Sequence, residues 1–315
     1  MFPSRTRTVA TVIVPTYNRS KLLAYTLHSI HRQKINQSYL EVIVVDDGSS
    51  DDTLAVVEQY KKHLNLKYFF QEDKGYRVAS ARNIGIANAG SDILIFVDSG
   101  VLLGEGCLWA HINAHLGSHE PLAVIGYVYG FDQDNARGEE LADRIDCNAP
   151  EASIACFRAS EEHLDIREVC YRRYNDELSN LPAPWVFFWT CNVSVSRESL
   201  EKTGPFDENF DLCWGVEDQE LGLRLHRNQV KICLNREAAA IHYPHLKNAE
   251  EKFRQIGRNR EYFHRKHNLL ETDLYLRTEE FELNDVLIAL GDDRLPADGK
   301  PVDAGVGPVA NVFNC

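Results

Sequence analysis

No stretch of about 18 consecutive apolar residues occurs in this 315-residue chain, so no segment reads as a membrane-spanning helix. The seven-residue run Val9–Pro15 ends in proline and is too short for a signal sequence. The eight cysteines (107, 147, 156, 170, 191, 213, 233 and 315) contain no CxxC pair, which speaks against a zinc site or a disulfide frame. They read as reduced, mostly buried thiols. There is no long Lys/Arg block, and 34 basic against 47 acidic residues leave a net charge of −13. Nucleic acid and anionic membrane, which prefer a basic face, are therefore poor candidates as main partners. No GxGxxG follows the first apolar run, which disfavours a dinucleotide oxidoreductase. No internal repeat is visible. What remains is an ordinary globular composition, 44% hydrophobic and 26% charged, long enough for a full core in one or two domains. A cytoplasmic enzyme is the expectation.

The first hundred residues alternate between two periods. Apolar runs at Val9–Val14, Glu41–Val45, Leu66–Phe70 and Ile93–Val97 read as strands. Between them, helical spacing appears from Ser20 to about Gln33, through Leu54, Val57, Tyr60 and Leu64, and from Val78 to Asn88. That rhythm predicts parallel strands with right-handed crossovers and an α/β fold, with functional groups at the carboxyl ends of the strands. Farther on, Leu122–Tyr129, Trp185–Phe188 and Asn192–Ser196 read as strands, and Glu139–Tyr174 as a charged, partly helical insertion on the acceptor side. Lys247 to about His267 reads as a polar helix, and residues 295–315 as a loose tail. The expected division is 8–103 for a nucleotide-binding half, 104–245 for an acceptor-binding and catalytic half, and 246–294 for a helical segment.

The polar clusters fall where that layout puts function. Pro15, Thr16, Tyr17 and Asn18 follow the first strand, and Asp46 and Asp47 follow the second. A carboxylate there can accept hydrogen bonds from a base or ribose, although the same Asp-rich turn would also cap the next helix. Arg77, Arg82 and Asn83 open the third helix and could reach phosphate, base or ribose. Asp98 and Ser99 end the fourth strand, where one carboxylate can hold a divalent cation bridging a diphosphate. His242 is a second candidate ligand, with His245 a weaker one. Most informative is Trp214-Gly215-Val216-Glu217-Asp218, an aromatic turn with two carboxylates at the start of a helix. A Trp face is a platform for sugar C–H surfaces, and a carboxylate at a helix start can take a proton from a hydroxyl stacked there.

Taken together, Val12–Arg19, Val44–Asp51, Ala81–Gly85 and Trp214–Leu221 resemble the signatures of inverting family 2 nucleotide-sugar glycosyltransferases. The last element is similar to that of galactosyltransferase-like and chondroitin-polymerase-like members. The resemblance implies the GT-A fold, a Rossmann-like and mostly parallel sheet flanked by helices, with an acceptor-side subdomain toward the C-terminus. It implies transfer of a hexosyl or N-acetylhexosaminyl group from a nucleotide sugar, with UDP the expected nucleotide, to a hydroxyl-bearing acceptor. Carried over by position, Pro15, Tyr17, Asp46 and Asp47 would hold the nucleoside, with Arg82 on the nucleotide side. Asp98 and His242 would hold Mn²⁺ or Mg²⁺. Asp218 would be the base, and Glu217 would touch donor or acceptor hydroxyls. Where the family has Asp-x-Asp, this chain has Asp98-Ser99-Gly100, one carboxylate fewer. The rival expectations are a catalytically silent sugar-nucleotide-binding protein and a nucleotidyltransferase. The second would want a Gly-rich, Lys-bearing loop where Pro15–Asn18 stands.

Overall fold

The apolar runs at Ala10–Thr16 (β1) and Leu40–Asp46 (β2) are buried at every position, as strands covered on both faces must be. They belong to a computed structural model that describes residues 8–131, 138–245 and 249–291. The proposed tail, 295–315, lies outside the described residues. With Leu66–Phe70 (β3), Ile93–Val97 (β4), Val101–Leu103 (β5), Leu122–Tyr129 (β6), Asn192–Ser196 (β7) and Lys231–His242 (β8), the strands form a single eight-stranded sheet. Its order is β3–β2–β1–β4–β7–β6–β8–β5. The first four positions are parallel; β7 runs antiparallel to both β4 and β6, and β5 antiparallel to β8. The one sheet thus runs through both expected halves of the chain.

Helices α1 (Ser20–His31), α2 (Thr53–Tyr60) and α3 (Val78–Asn88) make the early crossovers, and α4 (Cys107–Leu116) precedes β6. The charged insertion folds as α5 (Gly138–Asp143), α6 (Pro150–Ser160) and α7 (Glu168–Arg173). Next come α8 (Arg197–Thr203) and α9 (Glu217–Arg227). The C-terminal helices are α10 (Ala249–His267), α11 (Leu270–Arg277) and α12 (Leu283–Leu290). Chain order reverses beside β1, with β2 on one side and β4 on the other, so a crevice opens at the carboxyl ends of these strands.

Three sequence expectations change. Trp185–Phe188 is not a strand: Pro184–Phe187 form a 3₁₀ turn with every residue buried. Pro184 supplies no ladder donor and its fixed φ suits a helical first position, while a short apolar run does not by itself separate strand from buried turn. Trp185 packs edge-on against Phe263 and Tyr275, so tertiary contacts decide the conformation. Pro15 and Thr16 lie inside β1, paired with Val45 and Asp46, rather than in the loop after it. Helix α2 ends at Tyr60, short of Leu64.

Gly85 explains how closely α3 sits on the sheet. A Cβ there would stand 2.4 Å from Ile13 Cγ2 in the buried centre of β1. Gly85→Ala is expected to cost about 1–3 kcal/mol through overpacking. Urea denaturation checks this; an unchanged midpoint would show that the helix can lift without loss.

Candidate active site

The turn before α9 is held in an unfavourable backbone. Leu212, Gly215 and Val216 all have positive φ, at 70°, 93° and 77°. For a β-branched residue such as Val216 this is an outlier that surrounding structure must enforce. The enforcing contacts are visible. Asn259 of α10 donates to Cys213 O at 3.2 Å and Gly215 O at 2.7 Å, Trp214 N donates to Gln255 at 2.8 Å, and Leu212 N donates to Tyr76 O at 2.6 Å. Asp211 accepts from Ala79 N and Ser80 N, capping α3 and tying this turn to the first half of the chain.

Helix α9 is anchored by buried Leu221, Leu223 and Leu225 and clasped to α10 through the fully buried Glu220. Glu220 accepts from Arg224 Nη2 at 2.9 Å, Lys266 at 2.7 Å and His267 at 2.9 Å. Burial alone would raise its pKa, but hydrogen bonds from His267, Arg224 and Lys266 outweigh it and hold the carboxyl at about 2. A folded-state pKa below the unfolded one gives stability that is present above about pH 4.5 and lost as pH falls toward 2, on the order of 3 kcal/mol. Stability measured against pH is expected to show this loss in the wild type and not in Glu220→Gln.

That frame presents Glu217 and Asp218 to a cavity that Asp98 and Arg82 also line. Arg82 is buried on α3 and bridges the two sides. Its Nη2 donates to Asp98 Oδ1 at 3.0 Å and its Nη1 to Glu217 Oε1 at 2.9 Å. Asp218 is partly exposed and accepts from Thr190 N at 3.3 Å and Gln219 N at 2.9 Å. One residue along, Cys191 O accepts from Asp98 N at 3.3 Å. The two carboxylate-bearing residues are therefore moored to consecutive residues of one segment, about 3.8 Å apart along the chain. Burial, then the charge of Glu217, push the Asp218 carboxyl well above the ordinary carboxylate range, with Arg82 opposing them. A raised pKa suits a group that must take a proton near neutral pH.

The remaining candidates divide by what already holds them. Asp46 accepts from Ser49 N at 2.7 Å and Tyr68 OH at 2.8 Å, which fixes the turn after β2. Asp47 accepts from Gln71 Nε2 at 2.6 Å, Arg77 N at 2.7 Å and Arg77 Nη2 at 3.1 Å. Two of these donors sit on Oδ1 and one on Oδ2, so Oδ2 keeps capacity for a donor from a base. Tyr17 and Asn18 are exposed at the crevice edge, with Tyr17 OH on Asp73 at 2.9 Å and Asn18 Oδ1 accepting from Ser50 N at 2.8 Å. Asn83 does not face the crevice with a free amide: it accepts from Phe206 N and donates to Phe206 O, both at 2.9 Å. Its evident work is to pin the loop before α9. Ser99 is buried beside Gly100, whose N–H donates to Thr26.

For a divalent cation, Asp98 fits in part. One of its oxygens faces Arg82, and the side chain is 38% exposed, leaving the other oxygen open toward the crevice. That matches a cation held by one carboxylate, waters and substrate phosphates. His242 lies on β8 opposite Val101 in β5, its ring 4.9 Å from Phe131 and 5.1 Å from His245. Among the described residues, no three His, Cys, Asp or Glu side chains gather as a metal-holding group.

Other cavity residues escaped the sequence reading: Tyr76, Trp189, Gln219, Tyr275 and Glu280 among them. Trp189 belonged to an aromatic run whose periodicity is uninformative. Tyr275 and Glu280 come from a segment some 60 residues beyond Asp218, and only folding brings it back.

Residues 11–203 match the model of glycosyl transferase family 2, and residues 175–249 match the N-terminal domain of galactosyltransferase. Over 264 residues the chain is 39% identical to validoxylamine A glucosyltransferase of Streptomyces hygroscopicus subsp. jinggangensis. That alignment covers 84% of this chain and 62% of the relative. Chondroitin synthase of Pasteurella multocida is 33% identical over 68% of this chain, which spans 22% of its length. The fold matches S. aureus TarS 1-349 in complex with UDP-GlcNAc at a TM-score of 0.58 and 19% identity, covering 89% of this chain and 70% of that one. It also matches a Pyrobaculum calidifontis mannosyltransferase in complex with GDP-Man and Mn²⁺, at 0.57 and 18%, covering 93% and 78%. No helix among the described residues is long and apolar enough to cross a membrane. With its parallel core, its Trp-Gly-x-Glu-Asp turn and a family match over most of its length, the chain belongs to glycosyl transferase family 2 and has the GT-A fold.

Proposed function

We propose that this protein moves a hexosyl group from a UDP-sugar to an acceptor hydroxyl with inversion, Asp218 acting as general base. One observation carries the reading: Asp218 and Asp98 line one cavity and are moored to the adjacent residues Thr190 and Cys191, with Trp214 also in the lining. Asp98 marks the diphosphate side and Asp218 the acceptor side, so the anomeric carbon falls between them.

The chain's own residues divide the work. Tyr17 and Asp47 border the nucleoside, and a base N–H meets Asp47 Oδ2, which holds one internal donor. Arg82 holds Asp98 and Glu217 at fixed separation. A divalent cation at Asp98 would neutralise charge growing on the departing diphosphate. Glu217 Oε2 is buried without a hydrogen-bond partner and is placed to accept from a sugar hydroxyl. Asp218 removes the proton of the attacking hydroxyl, and Trp214 offers a face to the acceptor ring. Similarity to a glucosyltransferase makes UDP-glucose the donor to try first.

UDP release from UDP-glucose, UDP-galactose and UDP-N-acetylglucosamine, with and without Mn²⁺, tests the reading. Release that depends on a hydroxyl-bearing acceptor or on water supports it. UDP-sugar binding with no release under any condition would show a silent binder and overturn it.

A further inference from the structure

The far wall of the cavity is built by residues from the C-terminal helices. Glu280 stands in the turn between α11 and α12, and Tyr275 comes from α11. Glu280 Oε1 accepts from Trp189 Nε1 and from Gln219 Nε2, each at 3.2 Å, and Oε2 accepts from Arg260 Nη2 at 3.3 Å. All three are at the long end of the N–H···O range, so the carboxylate has capacity for a shorter bond.

Gln219 reports what is missing. Its amide has one sensible orientation, because a carbonyl turned toward Glu280 would oppose a carboxylate. With Nε2 on Glu280, Oε1 is left without a partner, and the residue is only 7% exposed. A buried acceptor left open costs stability unless a ligand supplies the donor. Glu217 Oε2, in the lining of the same cavity, is a second such atom. The charges agree: even with Asp218 held toward its neutral form, the three carboxylates Asp98, Glu217 and Glu280 line the cavity against two guanidiniums, Arg82 in the lining and Arg260 pairing with Glu280. Open acceptors under an excess of negative charge select a ligand that donates hydrogen bonds and carries positive charge. The Tyr275 and Trp189 rings already carry the guanidiniums of Arg260 and Arg167, at 4.1 and 4.9 Å, which leaves the half-buried Trp214 as the aromatic of the lining that favours a cation on a ring-shaped carrier.

We propose that Gln219 and Glu280 form an acceptor subsite for an ammonium group borne by a polyhydroxylated ring. The inference rests on the transferase reading above, because it places this group beside the hydroxyl that faces Asp218. Gln219 accepts one N–H, Glu280 takes another and neutralises the charge, and the ring's hydroxyl is thereby turned toward the base.

Isothermal titration on the full chain saturated with UDP and Mn²⁺ tests this with two probes, the diaminocyclitol 2-deoxystreptamine and the neutral cyclitol myo-inositol. The diamine is expected to bind more tightly by about tenfold or more, the value of one charge-assisted contact. Glu280→Gln is expected to abolish that preference, and Gln219→Leu to weaken the diamine, with UDP affinity unchanged in both. Equal affinity for the two probes, a preference that survives in Glu280→Gln, or binding of neither probe while UDP still binds would overturn the subsite. Failure to bind UDP at all would overturn the transferase reading instead.

Discussion

Asp218→Asn is expected to lower kcat by about 10²–10⁴-fold while changing UDP affinity no more than about twofold. Asparagine keeps the shape and can still accept from Thr190 N–H, so the turn before α9 loses little. It cannot take a proton. Because burial and Glu217 hold the Asp218 carboxyl well above its ordinary range, ionising it works against folding. The neutral variant is therefore expected to melt at the same temperature as the wild type or higher. Turnover at saturating UDP-sugar, UDP titration and a melting curve check the three statements together. A fall in UDP affinity as large as the fall in turnover would assign Asp218 a structural role. The same electrostatics predict the pH profile. Glu217→Gln removes a neighbouring negative charge, favours ionised Asp218, and moves the acidic limb of the rate profile to lower pH.

Arg82→Met is expected to destabilise the protein by about 3–5 kcal/mol and to abolish transfer. Arg82 is 3% exposed, and its guanidinium faces carboxylates of two elements that the sequence separates by more than 100 residues. Without it, Glu217 keeps a buried charge with no counterion and Asp98 loses its tie to α3. The cost comes from stranded charge rather than from lost packing, since methionine fills much of the same volume. Adding Glu217→Gln to Arg82→Met is expected to recover part of the stability and none of the activity. Urea denaturation of the two single variants and the double variant measures the coupling. Additive losses would mean that the two side chains do not depend on each other.

Much of the first hundred residues was legible because their structure follows from local pattern. Val12, Ile13 and Val14 must be covered on both faces, Leu23, Leu27 and Ile30 must share one helix face, and polar residues at strand ends then fall along one crevice. The start of α9 at Glu217 was legible for a different reason, since acidic residues favour a first helical turn and a leucine-rich face follows; that Trp214–Asp218 line a cavity came from the structure. What the pattern misjudged was the Trp185–Phe188 run. Its residues are apolar on every side, so no period distinguishes strand from turn, and packing against Phe263 and Tyr275 decides. Asn83 looked like a reader of nucleotide because its helix begins at a strand end. Its amide is instead fixed by the backbone of Phe206, a contact no spacing announces.

By itself the sequence determined the parallel core, the crevice at its carboxyl edge and the residue types available for proton transfer. These depend on hydrophobic periodicity and on chemistry carried by neighbouring residues. Only the tertiary structure decided that Arg82 would span Asp98 and Glu217, that Thr190 and Cys191 would moor Asp218 and Asp98 side by side, and that Glu280 would return to close the cavity. The reason is physical: charges and hydrogen-bond partners far apart in the chain interact through space over a few ångströms, and burial sets their strength.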